Sequence, residues 1–338
     1  MTLRTRIDRL SPLWVGIAIS GTLIAILLVT ETVLGRWDVL VLRDLRLAIV
    51  HCLVMGYVPA AFLYVLKSSR RSVLALQEAL GCTREECEAL AASVVRLSGR
   101  GLVIFGLIGL AVNFVTLDPL SGINIVTLDA LSAWNSSTWS PEVAWHRILS
   151  APMGWFGWWL GYAIVIVSMR MSRLARKLNR IDLLDLTPLA PFTRQGLTNA
   201  LLLIGLLSIF SLFLLETGFG GMILRLGVTT LVMAALAVLP QVLWVRARIR
   251  QAKDEELRRI NRAISTERSA LEDPDAGRRI GRRWGPADLV AYRGLIQDVP
   301  EWPFTASTYA RLILYMLIPV ASWVLGGIVE EIVGRALF

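Results

Sequence analysis

The sequence predicts an all-α, polytopic membrane protein with about seven transmembrane helices. Of its 338 residues, 55% are hydrophobic and only 18% are charged, and the mean hydropathy is +0.60. Several apolar runs reach about 17–25 residues, which is the length that an α-helix needs to cross a bilayer. Because hydrocarbon offers the backbone no hydrogen-bond partner, these runs are expected to be helical.

Seven candidate spans follow from the apolar runs. The first run is too long for a signal peptide and lacks a clear cleavage site, so it is interpreted as a retained helix. The spans divide the chain into a membrane domain, a cytoplasmic helical segment, and a seventh span with an outer C-terminus. The spans cover residues 12–30, 47–66, 101–117, 146–169, 196–215, 222–245 and 306–329. The membrane domain covers 1–245 and includes short cytoplasmic helices at 67–100 and 170–195. The cytoplasmic helical segment covers 246–305, and the seventh span with the outer C-terminus covers 306–338.

Basic residues alternate between the connections and predict the orientation. They are concentrated before the first span and in the connections after the second, fourth and sixth spans, whereas 118–142 and 216–221 contain none. The positive-inside rule therefore predicts a cytoplasmic N-terminus and an outer C-terminus. The basic residues that give the net charge of +9 are expected to set the topology and to contact the lipid bilayer, and no nucleic acid partner is expected. A strong preference for arginine over lysine suggests a bacterial source, so the expected location is the bacterial inner membrane.

Two features organise the connections expected in the cytoplasm. Thr83 followed by Glu86 forms a capping-box pattern, which predicts a helix start after "GCT". Leu257, Ile260 and Ile264 recur at helical spacing, so the sixth span is expected to continue as an amphipathic helix. A second amphipathic helix is expected after the Gly/Pro/Asp-rich break at 272–286. These helices either pack on the same chain or meet other copies, and we select Leu257, Ile260 and Ile264 as candidate contacts of a homo-oligomer.

Catalytic chemistry is not expected. The sequence contains no P-loop, no glycine-rich nucleotide fingerprint and no nucleophile elbow. Glu330-Glu331-x-x-x-Arg335 matches the first signature of a family of intramembrane proteases. That family also needs histidines on later helices, whereas both histidines here, His51 and His146, lie far upstream. A site shared by the two histidines is the less favoured alternative to ordinary interfacial hydrogen bonding, and no metal or cofactor is predicted.

The last span carries the pattern that best suggests a function. A stripe of small or polar residues follows one helical face and ends in a carboxylate at the expected outer end. The neighbouring Glu331 is explained by a helix pair with Arg335. Such a stripe either allows close helix packing or, repeated by symmetry, lines a pore. The candidate pore-lining residues are Tyr315, Pro319, Ser322, Gly326 and Glu330.

Three functions are consistent with these patterns. No charged residue is expected at the centre of a span and no inverted repeat is evident, which favours a homo-oligomeric ion channel over an ion-coupled transporter. The topology resembles that of the insect chemoreceptor channels, although none of their motifs is present, and the resemblance implies a tetramer whose last helix lines the pore. A small-molecule transporter or exporter is the alternative. A non-catalytic membrane sensor or partner protein, binding through 246–305, is the third hypothesis.

Overall fold

The computed structural model describes residues 11–33, 42–116, 141–178, 181–212, 220–272 and 286–302, together with position 314. All regular structure within these ranges is helical. The helices are α1 (Pro12–Val33), α2 (Leu42–Leu74), α3 (Gln77–Leu80), α4 (Arg84–Val95), α5 (Gly99–Thr116), α6 (Pro141–Ala175), α7 (Ala190–Phe210), α8 (Gly220–Glu272) and α9 (Pro286–Asp298), with a 3-10 turn at Thr187–Leu189 before α7.

Six of the helical stretches are long and apolar enough to cross a membrane. They lie in α1, α2, the α4–α5 stretch, α6, α7 and α8, and their apolar parts overlap the first six predicted spans. The chain is therefore a multi-pass membrane protein built from helices, as the sequence predicts. The seventh predicted span, 306–329, lies outside the described residues apart from position 314.

The fifth span begins earlier than the sequence indicated. The prediction placed its start at 196, whereas α7 runs from Ala190 to Phe210. Pro191 lies in the first helical turn, where the N–H that proline lacks would have no partner within the helix. The proline therefore lies at the beginning of this helix, which starts six residues before the predicted span. Gln195 is consequently a helical residue inside the bundle.

Two helices extend well beyond their apolar stretches. α2 has 33 residues and α8 has 53, so α8 is about 80 Å long at 1.5 Å per residue. The predicted continuation of the sixth span as a helix is thus confirmed as far as Glu272. We call the end of the bundle where Lys67, Arg170 and Arg246 follow the apolar stretches the basic end.

Small residues let neighbouring helices approach closely, as is common in membranes. A Cβ added at Gly56 of α2 would collide with the Gly16 carbonyl oxygen of α1. A Cβ added at Gly109 of α5 would likewise collide with the carbonyl oxygen of Gly154 in α6. The indole N–H of Trp159 also donates to the Leu102 carbonyl oxygen at 2.7 Å, which joins α6 to α5.

A charged side chain ties α4 to the basic end of α6. The guanidinium of Arg170 donates to the carbonyl oxygens of Ser93, Val94 and Arg96 at 2.9, 3.0 and 2.6 Å. These carbonyls lie at the end of α4, where a helix has no intrahelical donors left for them and where a cation is favourable. The other end of α4 has the predicted capping box, since Thr83 and Glu86 exchange hydrogen bonds.

Candidate functional site

A cluster of uncharged polar side chains is buried between α2, α6 and α7. The amide oxygen of Gln195 accepts hydrogen bonds from the hydroxyls of Ser68 and Ser72 at 2.9 and 3.0 Å. The amide nitrogen of Gln195 donates to the Asn199 amide oxygen at 2.9 Å, and Asn199 in turn donates to the Ser168 hydroxyl at 3.3 Å. We call these five residues the amide cluster.

The centre of the amide cluster is buried and hydrogen-bonded, whereas Ser68 at its edge is half-buried. Gln195, Asn199 and Ser168 are each 0% exposed. A buried amide without partners would cost several kcal/mol in hydrocarbon, so the mutual pairing accounts for its presence there. Ser68 follows Lys67 directly, and Ser168 lies two residues before Arg170. The cluster therefore lies at the basic end. It has no ionisable member, so it can hydrogen-bond an uncharged solute or water but cannot relay a proton by titration.

Gln241 of α8 faces the same interior. Its amide nitrogen donates to the Ala237 carbonyl oxygen at 3.0 Å, and its side chain is 0% exposed. Its amide oxygen is buried without a hydrogen-bond partner. α6 and α8 run in the same direction. At the basic end, just beyond α6, Arg248 of α8 bonds to Leu178 and the Trp244 ring of α8 contacts Arg176. Residues about 70 positions apart in sequence therefore lie at the same level of the bundle. This register places Gln241 level with Ser172, four residues beyond Ser168.

Two further buried polar side chains lie away from the basic end. His51 is 1% exposed in α2, and Glu31 is 3% exposed near the end of α1. The predicted first span ended at residue 30, whereas α1 continues to Val33 and includes Glu31. The side chain of His146 is outside the described set, so neither a site shared with His51 nor the favoured alternative, ordinary interfacial hydrogen bonding, is tested. Among the described residues there is no group of three or more metal-ligating side chains.

The segment after the membrane part of α8 folds back on α8. The ammonium of Lys253 donates to the carbonyl oxygens of Gln297 and Val299 at 2.6 and 2.9 Å. Arg246 pairs with Glu301 at 3.6 Å, and its guanidinium lies 4.3 Å from the centre of the Trp302 ring. We call this set of contacts the α8–α9 clamp. It fixes residues 286–302 beside the first charged turn of α8.

The candidate oligomer contacts lie within the interior of the same chain. Ile260 is 4% exposed and belongs to the apolar core, together with Ile296 of α9. Leu257 and Ile264 are partly buried against that core. The sequence analysis allowed these residues to pack either on the same chain or on other copies, and the structure shows packing on the same chain. This packing occupies most of the face proposed for contact between copies. Their role in an oligomer stays a prediction.

Two ionisable groups beside this segment have shifted pKa values. Burial raises the pKa of Tyr292 on α9, and the negative charge of Glu256, whose carboxylate lies 3.5 Å from the phenol, adds to the effect. The side-chain hydroxyl of Thr187 and then its main-chain N–H lower the pKa of Asp185 by hydrogen bonding to the carboxylate. The Asp185 carboxylate accepts a hydrogen bond from the main-chain N–H of Thr187 at the start of the 3-10 turn, and Tyr292 joins α9 to α8 through Glu256.

None of the candidate pore-lining residues is among those that the structure describes. Tyr315, Pro319, Ser322, Gly326 and Glu330 all lie outside the described residues, so the stripe stays a prediction. Gln195 and Gln241 were missed by the sequence analysis. The signal for Gln195 was its position four residues before Asn199, which places the two amides on one helical face.

Fold and site together define a multi-pass helical membrane protein with an uncharged polar cluster at one end of the bundle. Comparisons with protein-family models, with curated proteins and with solved structures find no match to this chain.

Proposed function

We propose that the chain is a homo-oligomeric ion channel in the bacterial inner membrane, with 306–329 lining the pore. In this proposal the chain has seven spans, the basic end faces the cytoplasm, and the C-terminus lies outside. Glu330 then stands at the outer mouth. The stripe from Tyr315 to Glu330 supports a lining role, because small and polar side chains repeated by symmetry suffice for a passive pore.

The α8–α9 clamp is the structural observation that carries this proposal. It attaches residues 299–302, directly before the last span, to α8 through Lys253 and Arg246. The described stretch 286–302 therefore ends beside α8, a few residues before the predicted last span. A movement of the cytoplasmic part of α8 would be transmitted to the start of the lining segment, which is the connection that a gated pore requires.

The interior of the single bundle favours a pore formed between copies. Val54, Val65 and Val167 fill the space between α2 and α6 at 0% exposure, and the amide cluster occupies the basic end. A pathway through one protomer would have to open this packed interior, whereas a pore on a symmetry axis would leave it intact.

Oligomeric state and ion flux test the proposal together. Native mass spectrometry of the full chain in detergent is expected to give one defined oligomer, and proteoliposomes are expected to pass monovalent ions. A stable monomer would remove a pore shared between copies. Absence of ion flux from liposomes that contain the intact oligomer would remove the channel itself.

A small-molecule transporter is the second candidate, and Gln241 favours it. Its unpartnered, buried amide oxygen beside the amide cluster is the kind of group that an uncharged, hydrogen-bonding solute would satisfy. This candidate predicts solute uptake that saturates with concentration and that Gln241→Met abolishes. It also predicts transport by a monomer, which the channel does not allow.

A further inference from the structure

We propose that an anionic phospholipid binds in the groove between α6 and α8 at the basic end, with its phosphate held by Arg173 and Arg176. Its acyl chain would lie along the exposed apolar face of α8. The site is independent of the channel proposal, because it needs only the described helices and a bilayer around them.

The apolar part of this site is a row on α8. Val232, Leu236, Leu239 and Leu243 are spaced by four, three and four residues, and they are 52%, 44%, 52% and 49% exposed. This spacing places them on one face of the helix. In a membrane that face meets lipid tails, and the row ends within one turn of the first charged residue, Arg246. An acyl chain lying on the row would thus bring its headgroup to the level of the charges.

The headgroup part of the site is formed by α6 and Trp244. The guanidinium of Arg176 lies 3.7 Å from the centre of the Trp244 ring, which is adjacent to Leu243. Arg173 lies one turn earlier on α6 and is also exposed. A guanidinium stacked face-on against an indole keeps its N–H edge free, and that edge matches two phosphate oxygens. Tryptophan also favours the interface between tails and headgroups.

The charges of Arg173 and Arg176 are not neutralised by the part of the chain that the structure describes. The nearby cations Arg170, Arg246, Arg248 and Lys253 each bond to acceptors of the protein, whereas Lys177, next to Arg176, is exposed. No described carboxylate lies within ion-pair distance of Arg173 or Arg176. A phosphatidylglycerol headgroup would supply the missing negative charge, whereas phosphatidylcholine would also bring a quaternary ammonium next to two cations. The site should therefore discriminate between these two lipids.

Lipid retention in native mass spectrometry tests the proposal. The purified full chain is equilibrated with phosphatidylglycerol or phosphatidylcholine, and we expect preferential retention of phosphatidylglycerol. A basic residue near an anionic membrane surface contributes about 1 kcal/mol, so Arg176→Gln should weaken phosphatidylglycerol binding about fivefold. Arg176→Lys should keep only part of the preference, since it retains the charge but lacks the planar N–H edge that matches two phosphate oxygens. Trp244→Leu should weaken binding by releasing Arg176 from the ring.

Arg84→Gln is the matched control, because Arg84 is an exposed arginine whose partner is Glu88. It should leave retention unchanged. A thermal melt of each variant in the same detergent identifies any variant that has lost its fold, and Trp244→Leu takes the place of Arg176→Gln in the comparison if Arg176→Gln fails this check. Equal retention of the two lipids by the wild type, or equal phosphatidylglycerol binding by Arg176→Gln and wild type, would overturn the proposal.

Discussion

Lys253 of α8 donates a hydrogen bond of 2.9 Å to the main-chain carbonyl oxygen of Val299, just beyond the end of α9. The two residues are 46 positions apart, and between them the chain leaves α8, passes through a Gly/Pro-rich break and returns. A cation is favourable at the C-terminal end of a helix because the last carbonyls there have no intrahelical donors. The same arrangement occurs where Arg170 meets the end of α4.

Removal of the Lys253 ammonium should release α9 from α8. A hydrogen bond to a charged group contributes about 1.5–3 kcal/mol, so Lys253→Met should speed hydrogen exchange in 286–298 by about tenfold or more. Hydrogen–deuterium exchange with mass spectrometry measures this directly. Arg258→Met, which removes an exposed cation from the same helix, is the control and should leave exchange unchanged. Unchanged protection in Lys253→Met would mean that apolar packing around Ile296 alone holds α9.

Loss of the Arg170 guanidinium should loosen α4. Arg170→Met leaves the carbonyls of Ser93, Val94 and Arg96 without their side-chain donor, at a cost of about 1–3 kcal/mol. Peptides covering 84–95 should then exchange faster, while α9 should be unaffected. Arg170→Lys should restore part of the protection, because an ammonium can still reach these acceptors. Equal exchange in all three proteins would contradict the assigned role of Arg170.

Gln195 and Gln241 should respond oppositely to apolar substitution. Gln195→Leu leaves the hydroxyls of Ser68 and Ser72 without their acceptor and the Asn199 amide oxygen without its donor, and it should destabilise the bundle by about 1–3 kcal/mol. Gln241→Met replaces an amide whose oxygen has no partner, so thermal stability in detergent should stay the same or rise. Ser208→Ala is the control, since that hydroxyl bonds only to the Ile204 carbonyl of its own helix. A large loss of stability in Gln241→Met would mean that its oxygen has a partner after all, such as bound water.

Tyr292 should ionise only above its usual pKa of 10.0. Because its pKa is raised in the folded chain, the neutral phenol contributes stability that is complete below pH 10 and is lost as the pH rises further. The phenolate absorbance of the wild type minus that of Tyr292→Phe should therefore titrate above pH 10. Glu256→Gln should bring this titration closer to 10, because the nearby negative charge is removed. A difference titration centred at or below 10 would argue against burial beside Glu256.

Apolar run length predicted the membrane class and six of the membrane-crossing helices, because burial in hydrocarbon depends on local composition. The capping box at Thr83 and the helical extension of α8 were also readable, since both are local patterns. The sequence could not show that Lys253 meets Val299, because that contact depends on how the chain folds back over 46 residues. Gln195 was missed because its partners Ser68 and Ser72 lie on another helix, and because it falls just before the predicted fifth span, 196–215.

The face that contains Ile260 illustrates the same limit. Its helical spacing identified a buried face correctly, but spacing does not specify whether the covering surface belongs to the same chain or to another copy. The structure covers Ile260 within one chain, whereas sequence reasoning assigned it to an oligomer contact. The stripe on the last span carries the same ambiguity between packing and pore lining, so it needs a functional measurement.

Ion selectivity of the purified protein in proteoliposomes tests the central claim most directly. Wild type, Glu330→Gln and Glu331→Gln are compared by the reversal potential in a salt gradient. If the last span lines the pore, the wild type favours cations, Glu330→Gln reduces that preference, and Glu331→Gln retains it because Glu331 is expected to pair with Arg335. No conductance under any condition, or the same selectivity in wild type and Glu330→Gln, would contradict the account.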